Sequence, residues 1–521
     1  MKIISLNLIL ITLLLAFSCK KEDVKEQKPT PFETLISQQT AFEVLIHQGN
    51  VIDGSGSHGF LADILINGDS IAFVGQVDTS KITFSKFIDA KGKTVSPGFI
   101  DTHAHGNPLK TPDFDNFLAM GVTTISLGQD GFSPSYPSIE EWFTKIEDKG
   151  IHPNLAMFIG HGTLRQLSGV NFNPDPSIEE LDKMGEILEN ALNAGCLGMT
   201  TGLEYTPGTY GKEEELVHLA KIVGKHDKMI MSHMRNEDDD AMEKSINELL
   251  EQGKYCHVHV SHMKVVYGKG EERANEILSI LEKARNNGID VSADVYPYNA
   301  SYTGIGIVFP NWAKGPNNYA NVKITKKEEL ATYLRQRVTK RNGPEATLLG
   351  TAPWTGKTLA QVAQESGKPF EEVLMDDIGP RGASGAYFVM NEALQETFVK
   401  DSLVMICSDG SPTGHHPRGH GTFAKVIEEY VFQKQLISLE EAIRKMTSLS
   451  AETMGLTDRG SIEVGKKADL LIFEPEKVKA KASYENPYQL AEGFDMVLIN
   501  GKLVRENSVL VGERNGEILR K

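Results

Sequence analysis

Short apolar runs that end in polar residues recur along the chain: "KTVSPGFIDTHAH", "GVTTISLGQD", "NLAMFIGHG", "CLGMTTGLEY", "KMIMSHM", "YCHVHVSHMK", "IDVSADVYPY" and "SLVMICSDG". Between them, apolar residues fall at helical spacing. Leu216, Leu219, Ala220 and Val223 share one face, as do Met242, Ile246, Leu249 and Leu250, and then Ile277, Leu278, Leu281 and Ala284. Eight strands alternating with helices predict parallel βα units, and hence an α/β fold in which residues 95–456 close into a (β/α)8 barrel.

The flanks follow a different period. Residues 41–94 contain the alternating "ADILINGDSIAFVG", and residues 457–521 contain "DLLIF" and "MVLINGKLV". Both read as strands and hairpins, so the two termini are expected to meet in a small β-sandwich beside the barrel. Residues 299–401 are too long for a simple loop and carry helical patterns around 326–339 and 358–375, which predicts a lid or subdomain inserted before the last barrel strand.

The opening "MKIISLNLILITLLLAFSCKK" changes the picture of where the mature protein starts. Its apolar stretch is about half of the roughly 20 residues that span a bilayer. It reads instead as a signal peptide, residues 1–18, and Cys19 resembles the lipidated cysteine of bacterial lipoproteins. Residues 19–40, rich in Lys, Glu and Gln, are expected to be a solvated tether. The expected location is outside the cytoplasm, with membrane contact only through the lipid anchor. The formal net charge is -16; losing residues 1–18 removes only Lys2 and leaves -17. That acidity argues against a nucleic-acid partner. Cys196, Cys256 and Cys407 lack metal-finger or disulfide spacing and read as buried free thiols.

Candidate chemistry gathers where the apolar runs end. His103 and His105, two residues apart, face one way at the carboxyl end of the first barrel strand, the end on which such barrels build active sites. Asp130 closes the second run, His161 the third, His233 the fifth, His262 the sixth and Asp409 the eighth. Polar groups concentrated at one end of apolar strands carry a desolvation cost unless they are partnered. Imidazoles and carboxylates together suit zinc or a similar borderline metal, and their number exceeds the needs of one tetrahedral ion. A hydrolytic site with one or two metals is the expectation.

These stretches, with "GHGTLR", "GMTTGLEYTPG", "SHMRNE", "HPRGHGTF" and "GLTDRGSIEVGKKADLLIF", resemble the metal-dependent amidohydrolases and, within them, the N-acyl-D-amino-acid deacylase (D-aminoacylase) family. The resemblance spans nearly the whole mature chain. It implies that His103 and His105 ligate one zinc site and His233 and His262 the second, and that Asp409 is the catalytic aspartate. It also implies that Tyr205 reaches the reacting carbonyl, and that Lys264, Tyr296 and Arg418 hold the substrate carboxylate. Asp130 departs from the pattern, because many D-aminoacylases have a cysteine in "NCG" where this chain has "QDG". Two alternatives stay open: Asp130 bridges two cations with harder, oxygen ligation, or it changes the relative occupancy of the two sites. The serine of the "YPY" loop aligns with Ser301 or Tyr302. Glu204 is expected to be structural, on the far face of a continuing strand, and His161 to stand near the site.

The activity implied is hydrolysis of the amide of a small N-acyl-D-amino acid. Rival readings are a dipeptidase for D-amino-acid dipeptides, a cyclic-amide hydrolase resembling dihydropyrimidinase or dihydroorotase, and a lipid-anchored binding protein without chemistry. Cyclic-amide hydrolases commonly carry a bridging carboxylated lysine on the fourth strand, and "GMTTGLEY" has none.

Overall fold

The computed structural model describes residues 30–136 and 138–521. The expected signal segment and Cys19 lie outside the described residues. All eight apolar runs form strands: Phe99–Asp101, Val122–Leu127, Asn154–Met157 continuing as Ile159–Gly160, Gly198–Gly202, Met229–His233, His257–Val260, Val291–Val295 and Val404–Ile406. Each pairs in parallel with the next. The ring closes where Ala104 bridges Gly410, next to the bonds Asp409 N–H to His103 C=O at 2.8 Å and His105 N–H to Gly410 C=O at 2.7 Å. Strands covered on both faces are buried along nearly their whole length, as Val122–Leu127 and Met229–His233 are, so apolar residues fall on both faces and the runs stand out in the chain.

The outer helices include Glu213–Lys225, Met242–Gln252 and Gly270–Asn286. They bury the expected stripes, except that Ala274 takes the inward place expected of Leu278, which is only partly buried.

Three boundaries differ from expectation, and the terminal sheet has its own construction. Thr30 caps a short helix, Pro31–Ile36, through a reciprocal capping box with Glu33, and Phe32 of that helix is buried on the terminal sheet against Phe73. The end of the expected tether is therefore structured. The terminal strands form one continuous nine-stranded sheet, bent at a bulge between Ile46 and Gly49, and not two separate sheets. Its halves still face each other, with Val44, Ile64 and Ile66 packed against Val95, Leu470 and Ile472. Alternate residues Leu471, Phe473 and Phe494 turn to the barrel, as the period of two requires.

The last residues also leave the sheet. Ile518–Leu519 pairs in parallel with Leu155 and Ala156 of the third barrel strand, and buried Lys228 clasps the carbonyls of Leu192, Cys196 and Lys521. Finally, the inserted unit ends earlier than 401. Helix Glu392–Lys400 packs on helix Gly270–Asn286 and on the seventh and eighth strands, and so belongs to the barrel. The insertion proper has its own core around Leu330, Leu334, Leu349 and Leu374. Its three-stranded sheet starts at Ser301–Gly304, directly over the barrel mouth.

Candidate metal centre and active site

His103 and His105 lie just past the first strand, where the chain bends and the bonds that close the ring hold it, and their rings enter the barrel mouth together, 5.2 Å apart. Asp130 stands in the turn after the second strand with φ +56°. That turn packs tightly on the fourth strand: a Cβ on Gly202 would meet the Asp130 carbonyl at 2.0 Å, and one on Gly131 (φ +76°) would meet Gly202 N at 2.7 Å. His262 (φ +38°) and Asp409 (φ +46°) are also held in the left-handed region. Non-glycine residues adopt it at a cost, so three such residues at one site are kept there by their surroundings.

Asp130 lies at the centre. Its Oδ1 is 3.3 Å from His103 Nε2, 3.2 Å from His262 Nε2 and 3.8 Å from His233 Nδ1, and its Oδ2 is 3.4 Å from His105 Nε2. Asp409 Oδ1 stands 3.1 Å from His105 Nε2 and 3.8 Å from His103 Nε2. Two ligand groups result, sharing Asp130: His103, His105, Asp130 and Asp409, and Asp130, His233 and His262.

The donors fit a divalent cation. Both ring nitrogens of buried His103 lack a hydrogen-bond partner, a deficit of about 1–3 kcal/mol for a buried polar group. His233 Nδ1 and His262 Nε2 approach to 3.1 Å with both rings turned to the same carboxylate. Imidazole nitrogens and a bridging carboxylate are the ligand types zinc takes.

The outer nitrogens are positioned by groups that sequence reasoning passed over. His233 Nε2 lies 3.3 Å from Glu204 Oε2. Glu204 is therefore no distant structural residue: the fourth strand ends at Gly202, the alternation stops there, and the turn swings Glu204 into the site. His262 Nδ1 lies 3.3 Å from Glu237 and 2.7 Å from Lys264 Nζ, and Lys264 also donates to Glu237 at 2.7 Å. Asp294 accepts the backbone N–H of His262 and the Thr102 hydroxyl, each at 2.5 Å, tying the seventh strand to the sixth and first. The partners on the ring nitrogens, Glu204 at His233 and Glu237 with Lys264 at His262, fix imidazole tautomer and orientation. Glu237 and Asp294 lay inside the stretches "SHMRNE" and "DVYPY", and an acid at or just beyond the end of an apolar strand is the signal that could have found them.

Burial opposes ionisation of Asp130 and Asp409, but the surrounding histidines outweigh it at Asp130, as do Arg418 and the histidines at Asp409. Both carboxyls are held well below the usual range. Burial, with the nearby Asp130 and Glu204 charges, pushes the Tyr205 phenol well up, so Tyr205 stays a donor. Its hydroxyl accepts from Thr303 at 3.1 Å.

The remaining expected residues separate. Arg418, first in helix Arg418–Lys425, pairs with Asp409 Oδ2 at 2.6 Å and donates to the Tyr302 carbonyl at 3.0 Å. Tyr296 is placed differently from a carboxylate contact. Its hydroxyl turns to Met390 Sδ at 3.7 Å, while its ring lies under two cations, 4.9 Å from Arg418 Cζ and 5.8 Å from Lys264 Nζ. His161 stands outside the site, in a buried cluster with Glu215 (2.6 Å) and Arg165, because a helix begins at His161 and carries its ring away.

These groups open into a cavity of about 680 Å³, a volume suited to a small ligand. Its walls include Leu109, Phe132, Tyr136 and Trp142 from the barrel and Ser301, Tyr302, Thr303 and Ile307 from the insertion.

The profile of the amidohydrolase family matches residues 330–505. An N-acyl-D-glutamate deacylase of Alcaligenes xylosoxydans xylosoxydans is 31% identical over 509 residues, covering 93% of this chain and 97% of that protein. The chain belongs to the N-acyl-D-amino-acid deacylase family of amidohydrolases. Among solved structures, the N-acyl-D-glutamate deacylase of Bordetella bronchiseptica, complexed with zinc and a phosphonate mimic of the reaction tetrahedral intermediate, superposes with a TM-score of 0.81 at 27% identity. A D-aminoacylase with a binuclear metal centre does so at 0.79 and 29%. Each comparison covers 92% of this chain and 100% of the solved one.

Proposed function

We propose that this protein hydrolyses the amide bond of N-acyl-D-amino acids with zinc held around Asp130, releasing a carboxylate and a free D-amino acid. One observation carries the reading: both histidine pairs and Asp409 converge on Asp130 beneath a ligand-sized cavity, in a chain similar to deacylases over nearly its whole length. Bound there, zinc supplies Lewis acidity and lowers the pKa of water. Asp409 enters the reaction ionised, with Oδ2 fixed by Arg418 and Oδ1 facing the histidines. It accepts a proton from the attacking water and delivers it to the leaving nitrogen. Tyr205, kept protonated, donates to the oxygen that gains charge. Lys264 and Arg418 line the cavity as two cations for the substrate carboxylate, backed by the Tyr296 ring.

The cyclic-amide alternative lacks its customary bridge. The fourth strand is Gly198–Gly202 with no lysine, and the position between the histidine pairs is taken by Asp130.

The test is a matched panel of N-acetyl-D- and N-acetyl-L-amino acids offered to the soluble chain starting after Cys19, with zinc supplied. Release from the D series alone is expected. Release from neither series would remove the deacylase reading and turn attention to dipeptides.

We also infer that the protein is exported and anchored through a lipid on Cys19. The apolar run before "SCKK" supports this, and among the described residues no helix is long and apolar enough to cross a membrane. Cys19→Ser should shift the protein from the membrane to the soluble fraction. Wild-type protein already free in the cytosol would contradict the anchor.

A further inference from the structure

Five arginines are buried among the described residues: Arg165, Arg341, Arg418, Arg459 and Arg505. Four of them donate side-chain hydrogen bonds. Arg341 donates none, and its Nε is buried without a partner. A guanidinium offers five donors and stays charged, so burying one unpaired is among the costliest choices a chain can make.

Its surroundings do not neutralise it. The nearest ion-pair partner is Asp238, whose Oδ1 is 4.0 Å from Arg341 Nη1. Asp238 Oδ2, however, already receives Arg337 at 2.6 Å and Lys340 at 3.1 Å. Three cations therefore converge on one carboxylate, and Arg341 is the farthest from it. The guanidinium is also held in place: Arg341 ends helix Lys327–Lys340, is 2% exposed and lies 5.0 Å from the Tyr387 ring centroid. It lines the active cavity.

We propose that Arg341 forms a second anion subsite in this cavity and reads a carboxylate on the side chain of the substrate's amino acid. The substrate class is then the N-acyl derivative of an acidic D-amino acid. This rests on the deacylase reading and deepens it. The subsite belongs to the amino-acid half of the substrate, because Asp238 beside Arg341 follows Glu237, the partner of Lys264. The acyl half has a different wall, from Leu109 to Trp142, with no cation among the residues named.

The test compares kcat/KM for N-acetyl-D-glutamate and N-acetyl-D-glutamine, which have nearly the same shape and differ in charge. Wild-type protein should favour the glutamate by about 100-fold or more, since a buried site built for a charged group rejects the analogue lacking it. Arg341→Gln should bring that ratio to within about tenfold, mainly through KM for the glutamate, and Arg341→Lys should restore part of it. A wild-type ratio near one, or an equal loss on both substrates in Arg341→Gln, would overturn the proposal, the latter assigning Arg341 to the common carboxylate or to folding. Calorimetry of D-glutamate against D-glutamine on the zinc-loaded wild type gives a readout without turnover. Failure on every N-acyl-D-amino acid removes the deacylase reading; turnover of neutral substrates without a glutamate preference removes only the subsite.

Discussion

Asp409→Asn is expected to lower kcat by ~10²–10⁴-fold, the range that a positioned general acid and base contributes, while zinc content stays close to that of the wild type. The substitution keeps size and can keep the contact to Arg418 at Oδ2, now 2.6 Å. It removes the negative charge at Oδ1, 3.1 Å from His105, and with it the capacity to accept a proton. His103, His105, Asp130, His233 and His262 remain as ligands, so metal analysis separates loss of a base from loss of the site. A variant with full turnover would take Asp409 out of the proton-transfer role. One that loses both zinc and turnover would make it chiefly a ligand.

Removing the metal with a chelator should abolish turnover, and reloading should depend steeply on pH. In the stripped protein, burial opposes charge on His105, but Asp130 and Asp409 outweigh it and push its pKa up to about 9. Burial and Lys264 oppose charge on His262, yet Asp409, Asp130 and Glu237 push it up to about 10. Both shifts favour the protonated ring at neutral pH, and ligands must be neutral to bind. Zinc must displace those protons, so its apparent affinity rises with pH below these pKa values, by up to about 100-fold per unit if both protons leave. Calorimetry in buffers of different ionisation enthalpy counts the protons released. Affinity that is flat between pH 6 and 8, with no proton release, would place the metal away from His105 and His262.

The site was only partly legible in the chain. His103, His105, Asp130, His233, His262 and Asp409 could be found because each is a polar residue ending an apolar run, and a barrel collects strand ends at one mouth. Glu204 was misread, because a period-two argument holds only while the strand lasts and this one stops at Gly202. Tyr296 was expected to hold the substrate carboxylate, but its rotamer sends the hydroxyl to Met390, and side-chain direction is set by packing. The helix at Pro31–Ile36 did leave a sequence trace, Thr30 with Glu33 and a proline at its first position, a capping signature hidden in an otherwise polar stretch.

By itself the sequence determined the number and order of the barrel strands, the helices between them and which histidines and acids gather at the barrel mouth, because local periodicity and strand-end polarity are written in contiguous residues. Only the tertiary structure decided that Asp130 lies between both histidine pairs, that Glu237 and Asp294 orient His262, and that the final strand leaves the terminal sheet for the barrel. It alone brought Arg341 from the insertion into the cavity. Those relations join residues tens to hundreds of positions apart, and their distances follow from ring closure and packing, which no local pattern encodes.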